Sequence, residues 1–113
     1  MYGFAHETLY KKLQNIELEM VCFTQSTFFM HFEKNITISI MGDIEISDFS
    51  GNLEFTANCA APMMKFIGQK LLSATNVENS RLILKFEQDT LTLIDDPSFE
   101  AFVFEIFDES VYV

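Results

Sequence analysis

Residues 27–40 read TFFMHFEKNITISI and residues 81–94 read RLILKFEQDTLTLI. Each is an alternating apolar stretch ending in Phe-Glu, then a short polar break and a second alternating stretch. Strand side chains alternate between faces, so each segment predicts a β-hairpin with one apolar face. Two similar hairpins in 113 residues constrain the chain to a small antiparallel scaffold made of two related halves. Few polar side chains suited to catalysis accompany them, and the expectation is a surface for binding and not an enzyme.

The length fits one domain, residues 1–113. Nearly half the residues are apolar and thirteen are Phe, enough for a compact core at this size. No run approaches the roughly 20 apolar residues that a bilayer span requires. The start, MYGFAHETLYKKL, lacks the basic region and continuous apolar run of a signal peptide, so the expected location is cytoplasmic.

The pattern along the chain predicts the elements. A short helix is expected over residues 5–14, with Leu9 and Leu13 on one face and Lys11 and Lys12 near its C-terminal end. Ile16, Leu18 and Met20 alternate with Glu17 and Glu19 in a first strand. Phe28, Met30 and Phe32 line a second, with Phe29 and His31 opposite. After a turn at Glu33-Lys34-Asn35, Ile36, Ile38 and Ile40 line a third. Ile44 and Ile46 mark a fourth strand, and Leu53 to Phe55 a brief one beyond the loop at Ser50-Gly51-Asn52.

A second helix is expected over residues 59–67, with Asn58 as its cap, Pro62 in the first turn and Gly68 closing it. Residues 69–77 read as extended, with a turn at Glu78-Asn79-Ser80. Leu82, Leu84 and Phe86 should pair with Leu91 and Leu93 across a turn at Gln88-Asp89. Asp95 to Ser98 forms a polar turn, because Pro97 is excluded from a strand ladder. A last strand runs from Ala101 to Phe107. The expected fold is α+β: two β-meander halves in one curved or barrel-like antiparallel sheet, with two short helices closing an end and covering an apolar face.

Charge bears on partners. Seventeen acids face seven bases, a formal net charge of −10. Between Lys34 and Lys65 stand Asp43, Glu45, Asp48 and Glu54 with no base. After Lys85 come Glu87, Asp89, Asp95, Asp96, Glu100, Glu105, Asp108 and Glu109, again with no base. Phosphate backbones repel such a surface, whereas a basic protein is drawn to it and captured faster. The same acidity also serves simply to keep a Phe-rich domain in solution.

Candidates for chemistry are few. His31 on a strand reads as a possible base or as an ordinary strand histidine, and His6 carries less. Cys22 and Cys59 are isolated thiols without the paired spacing of a zinc site, so no metal or other cofactor is expected. Asp95, Asp96 and Glu100 form the densest acidic group, better suited to Lys or Arg of a protein partner than to a cation. Most Phe side chains belong to the core. Phe29 and Phe99 are possible interface anchors, Phe99 above all because it sits inside the acidic 95–100 turn.

A resemblance attaches to the C-terminal part. In LILKFEQDTLTLIDDPSFEAFVFEI, a strand of Leu82, Leu84 and Phe86 leads through a polar turn to Leu91 and Leu93. The pair Asp95-Asp96 and the run Glu100-Ala101-Phe102 follow. With the preceding FIGQKLLSATNVENS, residues 66–106 resemble small bacterial immunity proteins of polymorphic or contact-dependent growth-inhibition toxin systems. The turn Glu87-Gln88-Asp89-Thr90 departs from that pattern by lacking its usual glycine. The resemblance implies a protein that neutralises a cognate toxin in the cytoplasm. Many such toxins are basic nucleases. Asp43, Glu45, Asp95, Asp96, Phe99 and Glu100 are the expected partner-binding residues. The alternative is a non-catalytic structural or regulatory module that self-associates through a sheet edge.

Overall fold

The computed structural model describes residues 10–24, 27–42, 44–48, 53–55, 65–95, 102–106 and 109–112. Among them lie ten strands: β1 (Ile16–Phe23), β2 (Phe28–Phe32), β3 (Ile36–Ile40), β4 (Ile44–Asp48), β5 (Leu53–Phe55), β6 (Lys70–Val77), β7 (Arg81–Phe86), β8 (Asp89–Ile94), β9 (Phe102–Ile106) and β10 (Glu109–Tyr112). All neighbours are antiparallel, in the order β10-β9-β3-β2-β1-β6-β7-β8-β4-β5. Eight inner strands are flanked by the short β10 and β5. The sheet therefore has two ends and does not close into a barrel.

The predicted helices have little counterpart among the described residues. Helical conformation there is confined to Tyr10 and a 3₁₀ turn at Lys65–Phe66. Half of the first predicted span, residues 5–9, and most of the second, residues 59–64, lie outside the described residues; residues 11–14 form a turn and bend, not a helix.

The sheet divides at the β1–β6 seam into two leaves: β1, β2, β3, β9 and β10 in the first, β6, β7, β8, β4 and β5 in the second. Reading outward from the seam, each leaf is a three-strand meander followed by a hairpin. The hairpins are exchanged. The β4–β5 hairpin, which follows β3 in sequence, pairs with β8; the β9–β10 hairpin, which follows β8, pairs with β3. After β3 the chain therefore does not return beside it, as an unbroken meander would; β4 belongs to the opposite leaf.

An approximate two-fold relates the leaves, and its axis passes through the Glu17–Lys70 pair at the seam. The Asn15 N–H donates to the Leu71 carbonyl at 2.7 Å, and the Gly68 N–H donates to the Leu18 carbonyl at 2.8 Å. Asn15 and Gly68 both have positive φ, 58° and 89°, a conformation that Gly and Asn tolerate best. Each central strand carries one bulge at the same place, between Leu18 and Met20 and between Leu71 and Ser73. A bulge shifts the alternation by one residue. Met20 thus faces outward opposite His31 and is 49% exposed, not on the face of Ile16 and Leu18 as simple alternation predicts.

The repeated Phe-Glu now has a physical reading. Glu33 Oε1 accepts from the Glu17 N–H at 3.1 Å, and Glu87 Oε1 accepts from the Lys70 N–H at 2.8 Å. Each glutamate thus satisfies a backbone donor near the two-fold axis that faces away from the seam, just beyond the end of the neighbouring ladder. Their neighbours Phe32 and Phe86 stack across the axis, with ring centroids 6.1 Å apart and planes 19° apart. Strands β2 and β7 are three sheet spacings apart, about 14 Å if flat. The Phe contact therefore shows that the sheet curves, with its apolar face concave.

That face holds the core. Met30, Ile38, Ile40, Ile46, Leu82, Leu84, Leu91, Leu93, Phe102 and Phe104 are all buried, as the period-two pattern predicts. Burying each such side chain contributes about 1.5–3 kcal/mol. Leu13 and Tyr10 cover the first leaf, Tyr10 lying against Phe104, while Phe66 covers the second and packs on Phe86 at 4.8 Å. The turns follow local chemistry. Lys34 and Asn35, and Glu78 and Asn79, all have positive φ in the tight turns β2–β3 and β6–β7. Asn76 and Asn79 bond reciprocally across the second of these.

Candidate functional site

Of the six expected partner-binding residues, Glu45 and Asp95 are described; Asp43, Asp96, Phe99 and Glu100 lie outside the described residues. The structure brings the two described ones to one corner of the second leaf. Glu45 stands on the outer, convex face of β4, opposite Thr92. Its Oε2 lies 3.0 Å from Arg81 Nη1, reached diagonally across β8. Asp95 follows β8 directly, and its N–H donates to the carbonyl of Ser80, next to Arg81, at 2.9 Å. The run of acids without a base is thus a property of the sequence only. In space Arg81 comes from another strand and engages Glu45.

A second polar group was not foreseen in the sequence reading. Gln69 and Asp89 are buried, at 8% and 9% exposure. Gln69 Nε2 donates to Asp89 Oδ2 at 2.8 Å and to the Lys65 carbonyl at 3.0 Å, while Gln69 Oε1 accepts from the Gln88 N–H at 2.8 Å. Lys65 Nζ approaches Asp89 Oδ1 at 3.4 Å. Asp89 is thus the first residue of β8, inside the fold, and not part of the turn expected at Gln88-Asp89. The signal was available: in Asp89, Leu91 and Leu93 the aspartate shares the phase of two core leucines. The network ties the Lys65–Gln69 turn to the β7–β8 connection. Every hydrogen-bonding role of the Gln69 amide in it is structural.

His31 lies on the outer face of the first leaf. Its Nδ1 shares a 3.1 Å hydrogen bond with Thr37 Oγ1, its directly opposite neighbour on β3, and its ring stacks on Phe29 at 6.3 Å with planes 18° apart. This geometry is that of a cross-strand pair that fixes a ring on a sheet surface. Cys22 is a free, half-buried thiol on β1. His6 and Cys59 lie outside the described residues. Among the described residues no group of three or more His, Cys, Asp or Glu side chains is placed to hold a metal ion, and no helix is long and apolar enough to cross a membrane.

The outer face is therefore the surface with features to offer a partner. It consists of rows running across the strands, and the two leaves dress equivalent rows differently. On the first leaf one row is Met20, His31, Thr37 and Glu105, and the next is Cys22, Phe29, Ser39 and Val103. On the second leaf the equivalent rows are Ser73, Lys85, Thr90 and Ser47, then Thr75, Ile83, Thr92 and Glu45. No family model, no curated protein and no solved structure matches this chain.

Proposed function

We propose that this chain is an immunity protein that binds and neutralises a cognate toxin domain, a basic nuclease domain, through an acidic surface. The observation that carries the reading is the excess of seventeen acids over seven bases. Two of those bases, Lys65 and Arg81, are engaged in ion pairs within the fold. Glu17, Glu19 and Glu105 are exposed on strands that carry no Lys or Arg. The resemblance of residues 66–106 to immunity proteins points the same way. Such a surface speeds capture of a basic partner, and a few desolvated anchors then set the lifetime of the complex. The protein acts by occupying its partner, without chemistry or cofactor, in the cytoplasm where such a toxin would act. Asp43, Glu45, Asp95, Asp96, Phe99 and Glu100 are the proposed contact residues.

Co-expression with the product of the immediately adjacent gene tests this. Rescue of growth and a co-purifying complex weakened by salt are expected. Toxicity without rescue, or no complex, removes the reading. A self-associating binding module is the second reading, favoured by the two open sheet ends at β5 and β10. It predicts a concentration-dependent dimer in sedimentation.

A further inference from the structure

We infer that the outer face of the first leaf, centred on Met20, Phe29 and His31, is the docking surface for a basic polypeptide with apolar side chains between its cations. This rests on the basic partner of the immunity reading and adds a contact surface on the other leaf to the corner of Glu45 and Asp95. The two-fold supplies an internal control. Groups that serve the fold recur in both leaves: the αL residues Asn15 and Gly68, the paired bulges, Glu33 and Glu87, and Phe32 and Phe86. The outer rows do not recur. Met20, Cys22 and His31 of the first leaf face outward where the second leaf has Ser73, Thr75 and Lys85. Val103 stands where the second leaf has Glu45. Phe29 does recur, as Ile83, but at the positions of Met20, Cys22, His31 and Val103 the second leaf carries hydroxyls and charges, so the fold does not require the groups found there.

The rim identifies the occupant. Strands β1, β2, β3 and β9 carry Glu17, Glu19 and Glu105 and no Lys or Arg; the strand-borne bases Lys70, Arg81 and Lys85 all belong to β6 and β7 of the second leaf. Glu105 ends the row of Met20, His31 and Thr37, and Glu19 directly precedes Met20, while Glu17 faces Lys70 across the seam. An apolar centre inside an acidic rim matches apolar anchors flanked by cations. Two copies meeting through this same face would bring like charges together. The bulge at Glu19 makes the surface: without that extra residue Met20 would point into the core. The stacked Phe29 and His31 rings are already held by Thr37, so little side-chain freedom is lost on binding.

The test is an NMR titration of the full chain, labelled at methionine methyl groups and backbone amides. The probe is a synthetic dodecapeptide of alternating Lys and Leu, with a Glu and Leu peptide as control. Saturable shifts are expected at the Met20 methyl, His31 and Thr37, not at Ser73, Lys85 or Thr90. The double variant Met20→Lys/Glu105→Lys, both positions being exposed, should fold normally and bind the Lys peptide about tenfold more weakly or worse. Shifts confined to the Glu45–Asp95 corner or the sheet edges, with the Met20 methyl and His31 unmoved, overturn the proposal. So does wild-type affinity in the double variant, or a dilution-dependent change of the same resonances showing a second copy on this face. Peptide binding here without growth rescue in co-expression removes the toxin partner and keeps the surface. Rescue undiminished by the double variant removes the surface and keeps the toxin partner.

Discussion

Where the first leaf buries Ile16 and Ile36, the second buries Gln69 and Asp89. The backbone positions are equivalent. Ile16 pairs with Leu71 across the seam as Gln69 meets Leu18, and Ile36 begins β3 as Asp89 begins β8. One leaf closes its end with apolar burial, which needs no direction. The other closes it with a directional network through Lys65, Gln69 and Asp89 that is favourable only if every member is satisfied. The difference teaches that this fold needs volume at these positions but not one chemistry. A polar solution there fixes the position of the chain before β6, which apolar packing alone holds less specifically.

Substitutions across the two-fold can break or sharpen this comparison. The largest effect is expected at the aromatic pair. Phe86→Ala and Phe32→Ala should each cost about 3–5 kcal/mol, read as a lower urea midpoint. Phe86→Ala should cost more, because Phe86 also packs on Phe66. Equal losses would mean that the Phe66 contact adds nothing.

Next comes the network. Asp89→Ala leaves buried Gln69 without its 2.8 Å acceptor and should cost about 1–3 kcal/mol. Gln69→Ile with Asp89→Ile writes the first leaf's solution into the second. Its loss should be smaller than the sum of the single losses by at least about 0.5 kcal/mol in a double-mutant cycle. Additivity would show that the two side chains do not act as a unit.

A smaller effect is expected at the αL residues. Nothing lies within 4 Å of a Cβ built on Gly68, whose φ is +89°, so Gly68→Ala should cost only the conformational penalty, about 1 kcal/mol. Gly68→Asn should cost less than half of that, since Asn15 does the same work in the first leaf. Thermal unfolding of the two variants decides it, and equal losses would reject the equivalence. Smallest are the glutamates at the axis. Glu87→Ala and Glu33→Ala should each cost about 0.5–1.5 kcal/mol, with the 2.8 Å bond of Glu87 the more valuable. Hydrogen exchange at the Lys70 and Glu17 amides should quicken in the matching variant alone.

Much of this was legible along the chain. Period-two alternation located β1 to β9 within a residue or two and assigned most inward faces, because a half-buried strand must separate apolar from polar side chains. The turns at Glu33–Asn35 and Glu78–Ser80 were legible from residues that tolerate positive φ. The bulge at Glu19 was not, since Met20 to Phe23 are all apolar and the sequence there marks neither face. Of the expected binding residues, Glu45 pairs with Arg81 and the Asp95 N–H donates to the Ser80 carbonyl, and the approach of Arg81 from β7 is invisible in a count of local charge.

Legible along the chain alone were an antiparallel sheet of two similar units and an acidic net charge. Strand periodicity, turn residues and net charge are local or additive properties. Only the tertiary structure decided which strands are neighbours. An alternating strand presents the same ladder of N–H and C=O groups to any partner, so nothing in β4 or β9 names β8 or β3. The curvature that brings Phe32 onto Phe86 joins the halves, and the exchanged hairpins cross between them. The exchange in turn assigns Val103 and Glu105 to the face of His31, and Glu45 to the face of Lys85.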